Sequence, residues 1–335
     1  MFILSGDIGG TNSRLRLTNF KNFNDFEITV EANFQNQDYP SFSDVVALFL
    51  NDNKIKTSDI AAAAFAVAGP VVEGVVKVTN LPWTISEVEL MKAFSFKKVN
   101  LLNDFEAAGY GVDNLKPEDL HVLQQGTLHP NRPRAMIGAG TGLGIAMAVS
   151  KGEHYQVIPT EGGHVDFAPT DEVQMHLLAH MQKRLHRVSA ERLVSGMGIL
   201  NIYKFIRENP LFNESENLNL KRALFQEGDA PAKITEYAIE HHDSMAMRTL
   251  DLFIRIYGAV AGNLALTTLP FGGLYIMGGI APKILPQLLD GRFLDAFCDK
   301  GRMSNLIKTI RVLVVLNTSV GLQGAANYGY LLCQP

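Results

Sequence analysis

The sequence has little cysteine, no excess of basic residues and no long apolar segment, and each shortage excludes a class of protein. Only two cysteines occur in 335 residues, so a disulfide scaffold is not expected. The net charge is −4, so the chain lacks the excess of positive charge that is typical of nucleic-acid-binding proteins. The longest uninterrupted apolar run, residues 60–68, is too short to cross a bilayer. Because the first residues do not form a basic region followed by an apolar core, we expect no signal peptide and a cytoplasmic protein.

A glycine-containing turn near the N-terminus is the first stretch that suggests chemistry. Apolar residues 2–4 lead into the run GDIGGTN at residues 6–12, and residues 13–18 then alternate between polar and apolar, as a half-buried strand does. Backbone N–H groups in such a turn can point at an anion because glycine has no Cβ to block the approach. Asp7, at the end of the first predicted strand, is placed to hold a divalent cation through water. Taken alone, the same pattern also describes an ordinary β-hairpin.

A second stretch of the same kind lies in the middle of the chain. Apolar residues 135–137 lead into GAGTGLG at residues 138–144, and an apolar strand follows. The recurrence suggests two related halves that each offer a phosphate loop to one ligand, which suits a nucleotide triphosphate with its metal. A dinucleotide-binding GxGxxG does not fit, because Leu143 stands three residues after Gly140 and the segment continues as a strand. The absence of a GxxxxGK[ST] sequence excludes a P-loop enzyme.

The pattern of apolar residues predicts an α/β chain of two domains. The first hundred residues read as β-β-β-α-β-α-β, which indicates helices packed on a sheet. Helices are predicted over residues 171–185, 189–207, 217–227 and 230–262, with a final helix over 321–332. A chain of 335 residues is long enough for two domains.

Six segments follow one another along the chain in this order: DIGGTNSRL, LLNDFEAAGYG, GAGTGLG, TEGGHVDFAP, SAERLVSG and MGGIAPK. Together they resemble the bacterial glucokinase family, from about residue 3 to about residue 330. That family belongs to the actin-like sugar kinase/Hsp70 ATPase superfamily. The resemblance implies a two-domain actin-like ATPase (ribonuclease H-like) fold with a cleft between a smaller and a larger domain. We expect the small α/β domain to span 1–107 plus 316–335 and the large one, with helical insertions, to span 108–315.

The activity implied by the resemblance is transfer of the γ-phosphate of ATP to the 6-hydroxyl of glucose, with Mg²⁺, by a homodimer. Asp104 is then the general base, because an attacking hydroxyl needs a positioned carboxylate to take its proton. The residues alone describe Asp104 or Asn103 equally well as an ordinary helix cap. Two alternatives stay open: a kinase for another hexose, and a catalytically weak sugar-sensing protein of the same fold.

The resemblance also assigns the binding residues of both substrates. From the residues alone, His164 is alternatively a surface loop histidine or one hydrogen-bonded locally to Asp166. Glu191 is alternatively an acid in the first turn of a helix capped by Ser189. On the sugar side the implied residues are Asn103, Asp104, Glu161, His164 and Glu191. On the nucleotide side they are Asp7, Gly9, Gly10, Thr11, Asn12, Gly138, Gly140, Thr141, Gly142, Gly278 and Gly279, with Asp7 holding Mg²⁺ through water.

Overall fold

The structure is a computed structural model that describes residues 1–78, 81–225 and 228–334. The chain divides into two compact units. The first comprises Met1–Lys116, Lys151–Pro159 and the residues from Asn317 onward, and the second comprises Pro117–Ser150 and Thr160–Leu316. The predicted α/β class is confirmed. The sequence-based domain limits stay a prediction. They differ from these units chiefly at residues 108–116 and 151–159, both of which belong to the first unit. The predicted limit at residue 107 lies inside helix Asp104–Gly111, which the first unit keeps whole.

The first unit contains the N-terminal elements and the last helix. Its strands and helices are β1 (Phe2–Ile8), β2 (Asn12–Asn22), β3 (Asp25–Gln35), α1 (Phe42–Asp52), β4 (Ile60–Val67), β5 (Val75–Lys77), β6 (Thr84–Ser86), α2 (Glu87–Phe94), β7 (Val99–Asn103), α3 (Asp104–Gly111) and, at the end of the chain, α12 (Val320–Leu332).

The elements between α3 and α12 are formed by the middle of the chain. They are β8 (Leu120–Gln124), β9 (Arg134–Ala139), β10 (Leu143–Lys151), β11 (His154–Thr160), α4 (Glu172–Gln182), α5 (Gly196–Glu208), α6 (Leu218–Phe225), α7 (Ala230–Ile239), α8 (Ser244–Thr268), β12 (Leu274–Met277), α9 (Leu285–Leu289), α10 (Arg292–Cys298), α11 (Ser304–Ile307) and β13 (Val312–Val315).

Three parallel strands, β1, β4 and β7, form one side of the sheet in the first unit. The strand order is β3-β2-β1-β4-β7, with β1 antiparallel to β2 and parallel to β4, and β4 parallel to β7. The continuous apolar run of β4 is buried along nearly its whole length, as expected for a strand covered on both faces. The register pairs Ile8 with Val67 and Val67 with Asn103. The carboxyl ends of β1, β4 and β7 therefore meet at one edge of the sheet.

The final helix packs on this sheet and on α3, in the way the resemblance implied. A Cβ at Gly324 would overlap the carbonyl oxygen of Ala107, and one at Gly111 would overlap that of Val320. Glycine at both positions therefore lets the two helix backbones touch. Asn327, which is fully buried, donates from Nδ2 to the carbonyl oxygen of Tyr110 at 2.8 Å. Helix α12 thus fixes the position of α3.

The sheet of the second unit repeats this strand pattern. Strands β10, β9, β12 and β13 lie side by side, with β9 antiparallel to β10 and parallel to β12, and β12 parallel to β13. In the first unit the neighbouring strands β2, β1, β4 and β7 have the same order of antiparallel, parallel and parallel pairs. The repeat supports the prediction of two related halves.

Helix α8 is long and apolar enough to span a membrane by composition, but 67% of its apolar window is buried inside the protein, as in a core helix.

Three predicted helices differ from the structure in extent. The range 230–262 is two helices, because the side chain of Asp243 accepts the N–H of Ala246 and starts α8 anew. The range 189–207 becomes a helix only at residue 196, where Ser195 accepts the N–H of Gly198. The helix predicted over 217–227 is observed as α6, and residues 226 and 227 lie outside the described residues.

Candidate active site

The first glycine turn joins β1 to β2 at the carboxyl edge of the first sheet. The Gly9 N–H donates to the carbonyl oxygen of Asn12 at 2.9 Å, and the Asn36 side chain donates to the carbonyl oxygen of Gly9 at 2.8 Å. Asn36 is 1% exposed and also accepts a bond from the Ser13 hydroxyl at 2.7 Å. A buried amide thus braces the turn, while Thr11 and Asn12 lie exposed at its tip, after the half-buried Gly10.

A cavity of about 490 Å³ opens beside this turn. Asp7 lies on its wall, and burial raises the pKa of the Asp7 carboxyl while the charge of Arg14 opposes that rise. A buried carboxylate is relieved of this desolvation cost by a nearby cation, and carboxylate oxygen is a ligand that Mg²⁺ prefers. Asp7 therefore fits the predicted magnesium role. The lining residues are Asp7, Gly9, Asn12, Arg14, Asn33, Phe34 and Gln35.

Arg14 is a site residue that sequence reasoning missed. It lies directly opposite Asp7 in the β1–β2 pair, so its side chain reaches the same cavity. Its Nη1 donates to the Ser319 hydroxyl at 2.7 Å and its Nε to the Asn33 side chain at 3.2 Å. The guanidinium is thereby held beside the glycine turn, where it can meet phosphate oxygens. The signal in the sequence was its spacing from Asp7 across a short hairpin turn.

Asn103 and Asp104 lie at the same sheet edge, where β7 passes into α3. Asn103 is the helix cap: its Oδ1 accepts the Phe105 N–H at 2.9 Å and its Nδ2 donates to the Gly69 carbonyl oxygen at 3.2 Å. Asp104 is the first helical residue and is exposed; its Oδ1 accepts the same Phe105 N–H at 2.8 Å. The capping role suggested for either residue therefore belongs mainly to Asn103. The helix dipole favours negative charge where Asp104 lies.

The central glycine turn, residues 138–144, joins β9 to β10 in the second unit. It is closed by a bond from the Gly140 N–H to the Gly142 carbonyl oxygen at 2.8 Å, and Thr141 is exposed at its tip. The register pairs Gly138 with Met277 of the parallel strand β12. Gly278 and Gly279 consequently follow beside the central turn, at the carboxyl edge of the second sheet.

Close approach explains the glycine at position 278. Gly278 has a φ of +84°, and a Cβ there would lie 2.5 Å from the carbonyl oxygen of Ala139. The Gly279 position is open, with no atom within 4 Å of its Cβ site. The structure therefore brings the predicted nucleotide residues of the second unit together at one edge.

Glu161 precedes a short 3₁₀ turn, Gly162–His164, and His164 is its last residue. Both side chains are exposed, by 71% for Glu161 and 59% for His164, and Glu161 Oε2 lies 4.0 Å from His164 Nδ1. Arg187 pairs with Asp166 and donates to the carbonyl oxygen of His164 at 2.8 Å. The alternative of a bond between His164 and Asp166 is therefore not supported. Both predicted sugar ligands have their polar atoms facing outward.

Glu191 lies in the adjacent 3₁₀ turn Ala190–Arg192. Its Oε2 accepts the Leu143 N–H at 3.0 Å, and a Cβ at Gly142 would lie 2.5 Å from that oxygen. A Cβ at Gly163 would overlap the carbonyl oxygen of Leu143. The three predicted sugar residues of this unit therefore gather at Leu143, within the central turn. Ser189 occupies the N-cap position and Glu191 the first turn, but the element is a short 3₁₀ turn and the Ser189 side chain makes no capping bond.

The predicted residues thus form one group in each unit. The first group contains Asp7, Gly9–Asn12, Asn103 and Asp104; the second contains the central turn, Glu161, His164, Glu191, Gly278 and Gly279. A cavity of about 560 Å³ at α7, α8 and α9 contains none of them among its lining residues. Its charged side chains, such as Arg292 with Asp251 at 3.0 Å, are paired with one another.

Comparison with known proteins gives a consistent match. The family model described as Glucokinase matches residues 4–330. The chain is 43% identical to the glucokinase of Nostoc punctiforme over 334 residues, 97% of each chain, and 35% identical to that of Tolumonas auensis over 326 residues. The crystal structure of glucokinase from an Antarctic psychrotroph is similar with a TM-score of 0.85 and 33% identity, over 98% of this chain and 99% of that one. The fold is also that of Balamuthia mandrillaris glucokinase in complex with glucose, with a TM-score of 0.73 at 23% identity over 98% of this chain and 93% of that one.

Proposed function

The chain belongs to the glucokinase family, and on that premise we propose that the two residue groups described above carry out the ATP-dependent phosphorylation of glucose at its 6-hydroxyl. Membership identifies a hexose kinase with ATP as the phosphate donor. The observation that carries the proposal is that each unit has a glycine turn at the carboxyl edge of its sheet, beside the predicted sugar residues. We take the units as the small and large domains of a ribonuclease H-like, actin-like fold that hold glucose in a cleft.

Asp104 acts as the general base in this proposal. Its exposed carboxylate, at the start of α3, takes the proton from the 6-hydroxyl as that oxygen attacks the γ-phosphate. The O–P bond to the sugar forms and the bond to the β-phosphate oxygen breaks, so that ADP leaves. Asn103 caps the helix and so fixes the carboxylate next to it. Positioning and charge stabilisation supply most of the acceleration in phosphoryl transfer.

The sugar is held by the remaining acids and amides. The Asn103 side chain, together with Glu161, His164 and Glu191, offers acceptors and donors to the ring hydroxyls. Several such groups suit a neutral polyol and select against an analogue that lacks a hydroxyl, because a polar group of the site would then stay unpaired. No observation on the chain or its relatives favours the sugar-sensing alternative.

The triphosphate is bound by backbone and charge. Backbone N–H groups of the first glycine turn and of the central turn bind phosphate oxygens; those of Gly9, Gly140 and Leu143 are bonded within the protein and do not take part. The guanidinium of Arg14 contacts the phosphates from the first unit, and Gly278-Gly279 binds the adenosine. Asp7 would hold Mg²⁺ through water. Magnesium, when bound, neutralises the charge that develops on the phosphates. We also propose a cytoplasmic homodimer, which light scattering would test directly.

A coupled assay tests the proposal as a whole. Glucose, ATP and Mg²⁺ should give glucose 6-phosphate, and mannose, fructose and glucosamine should be compared at equal concentration. Turnover of another hexose in preference to glucose would identify the protein as a kinase for that hexose. Glucose binding without any phosphorylation would contradict the proposed activity and favour a sugar sensor.

A further inference from the structure

Glu191 contacts both the sugar side and the nucleotide side of the second unit. Its carboxylate is one of the proposed sugar ligands, and its Oε2 also accepts the N–H of Leu143 at 3.0 Å. Leu143 lies in the central turn and is the first residue of β10. One carboxylate can accept several hydrogen bonds at once, so a sugar hydroxyl and this N–H can be bound together. The side chain therefore joins the two substrate groups directly.

A second hydrogen bond joins the same two segments. The N–H of Gly196, at the start of α5, donates to the carbonyl oxygen of Gly140 at 2.8 Å. The segment 191–196 is thus attached to the central turn at both of its ends, by the Glu191 carboxylate and by the helix start. Any shift of this segment must move the turn.

Ser195 holds that segment in shape. Its side chain is buried, with the residue only 1% exposed. The hydroxyl donates to the carbonyl oxygen of Glu191 at 2.7 Å and accepts the N–H of Gly198 at 3.0 Å. It therefore fixes the backbone that carries Glu191 and the first turn of α5 with a single group.

We infer that Ser195 is a positioning residue that couples glucose binding at Glu191 to nucleotide binding at the central turn. Glucose fixes the Glu191 carboxylate, which keeps the Leu143 N–H and hence the turn in place for phosphate. The substrate that binds second then meets a part of the site already ordered, which gives positive and reciprocal coupling. The inference rests on the proposed function, which assigns Glu191 to glucose and the central turn to ATP.

Calorimetric titration of the full chain with glucose, with and without saturating Mg²⁺–AMPPNP, measures this coupling. The wild type should bind glucose about 5- to 10-fold more tightly with the analogue present, within the range common for coupled sites. Ser195→Ala should reduce that factor to below about twofold while glucose alone still binds. Ser195→Thr keeps a hydroxyl and should restore most of the coupling.

A matched variant separates positioning from stability. Asp229 caps α7 through a bond from the Ala232 N–H at 3.1 Å, and it has no part in the proposed site. Asp229→Ala should lose a comparable amount of stability to Ser195→Ala but keep the coupling. Full coupling in Ser195→Ala, equal loss in both variants, or a wild type that binds both ligands independently would each overturn the inference. A wild type that binds no glucose would instead overturn the proposed function.

Discussion

Substitution of Gly324 by alanine tests how α12 positions the proposed base. A Cβ at this position would overlap the carbonyl oxygen of Ala107 and lie 2.6 Å from the backbone nitrogen of Gly111. Both atoms belong to the backbone of α3, so no side chain can rotate to make room. The two helices must separate, and Asp104 at the start of α3 must move with them.

The size of the effect follows from two opposing contributions. Alanine in a helix interior is better than glycine by about 1 kcal/mol. Overpacking costs about 1–3 kcal/mol, and a backbone overlap places this site at the upper end. The net loss in the free energy of unfolding should be about 2 kcal/mol. A displacement of about 1 Å at the base should lower kcat on the order of 100-fold.

Gly321 provides the matched control on the same helix. The atom nearest to a Cβ there is the carbonyl oxygen of Asp104, at 3.9 Å, which is ordinary van der Waals contact. Gly321→Ala should therefore keep or slightly raise stability and keep kcat. Urea unfolding and the coupled assay on both variants measure the two effects. A Gly324→Ala protein as stable and active as Gly321→Ala would refute the reasoning.

Three further outcomes are expected. Gly142→Ala should weaken glucose binding by about tenfold, because its Cβ would lie 2.5 Å from Glu191 Oε2 and displace this charged hydrogen-bond acceptor of the sugar site. Gly140→Ala, with open space at its Cβ site, should bind glucose normally. Equal losses of glucose affinity in the two variants, measured by calorimetry, would contradict this prediction. Arg14→Met should raise the KM for ATP at least about tenfold through loss of charge-assisted bonds to phosphate, with Arg14→Lys intermediate; an unchanged KM would remove Arg14 from the nucleotide site. Hydrogen bonds from Arg292 hold the pKa of Asp290 below its ordinary value, so this carboxylate stabilises the fold above its unfolded pKa, and the stabilisation is lost as the pH falls through the folded value. Asp290→Asn should therefore cost at most about 1 kcal/mol at neutral pH and progressively less as the pH falls through the folded pKa of Asp290, and a pH-independent difference in urea unfolding would argue against the ion pair.

The fold was predictable where a single local signal dominates. The apolar run of β4 and the glycine turns at 9–12 and 138–144 define their elements in the sequence, and the structure has them there. The alternation of strands and helices then specifies the α/β class. These features depend on neighbouring residues, which a sequence displays directly.

The features that the sequence did not reveal depend on contacts between distant segments. Arg14 matters because strand register places it opposite Asp7. Ser195 rather than Ser189 starts the helix after Glu191, because the intervening residues form a 3₁₀ turn that contacts the central turn. Both serines look like equally good caps in the sequence. Tertiary packing determines which serine starts the helix, and local helix propensity does not distinguish the two.

The measurement that tests the central claim most directly compares the wild type with Asp104→Asn for both glucose binding and phosphorylation. The substitution keeps the size of the side chain and removes its ability to accept a proton. The wild type should phosphorylate glucose with ATP, and the variant should bind glucose within a few-fold of the wild type while kcat falls by about 100-fold or more. A variant that binds glucose and turns it over at the wild-type rate would show that Asp104 is not the base.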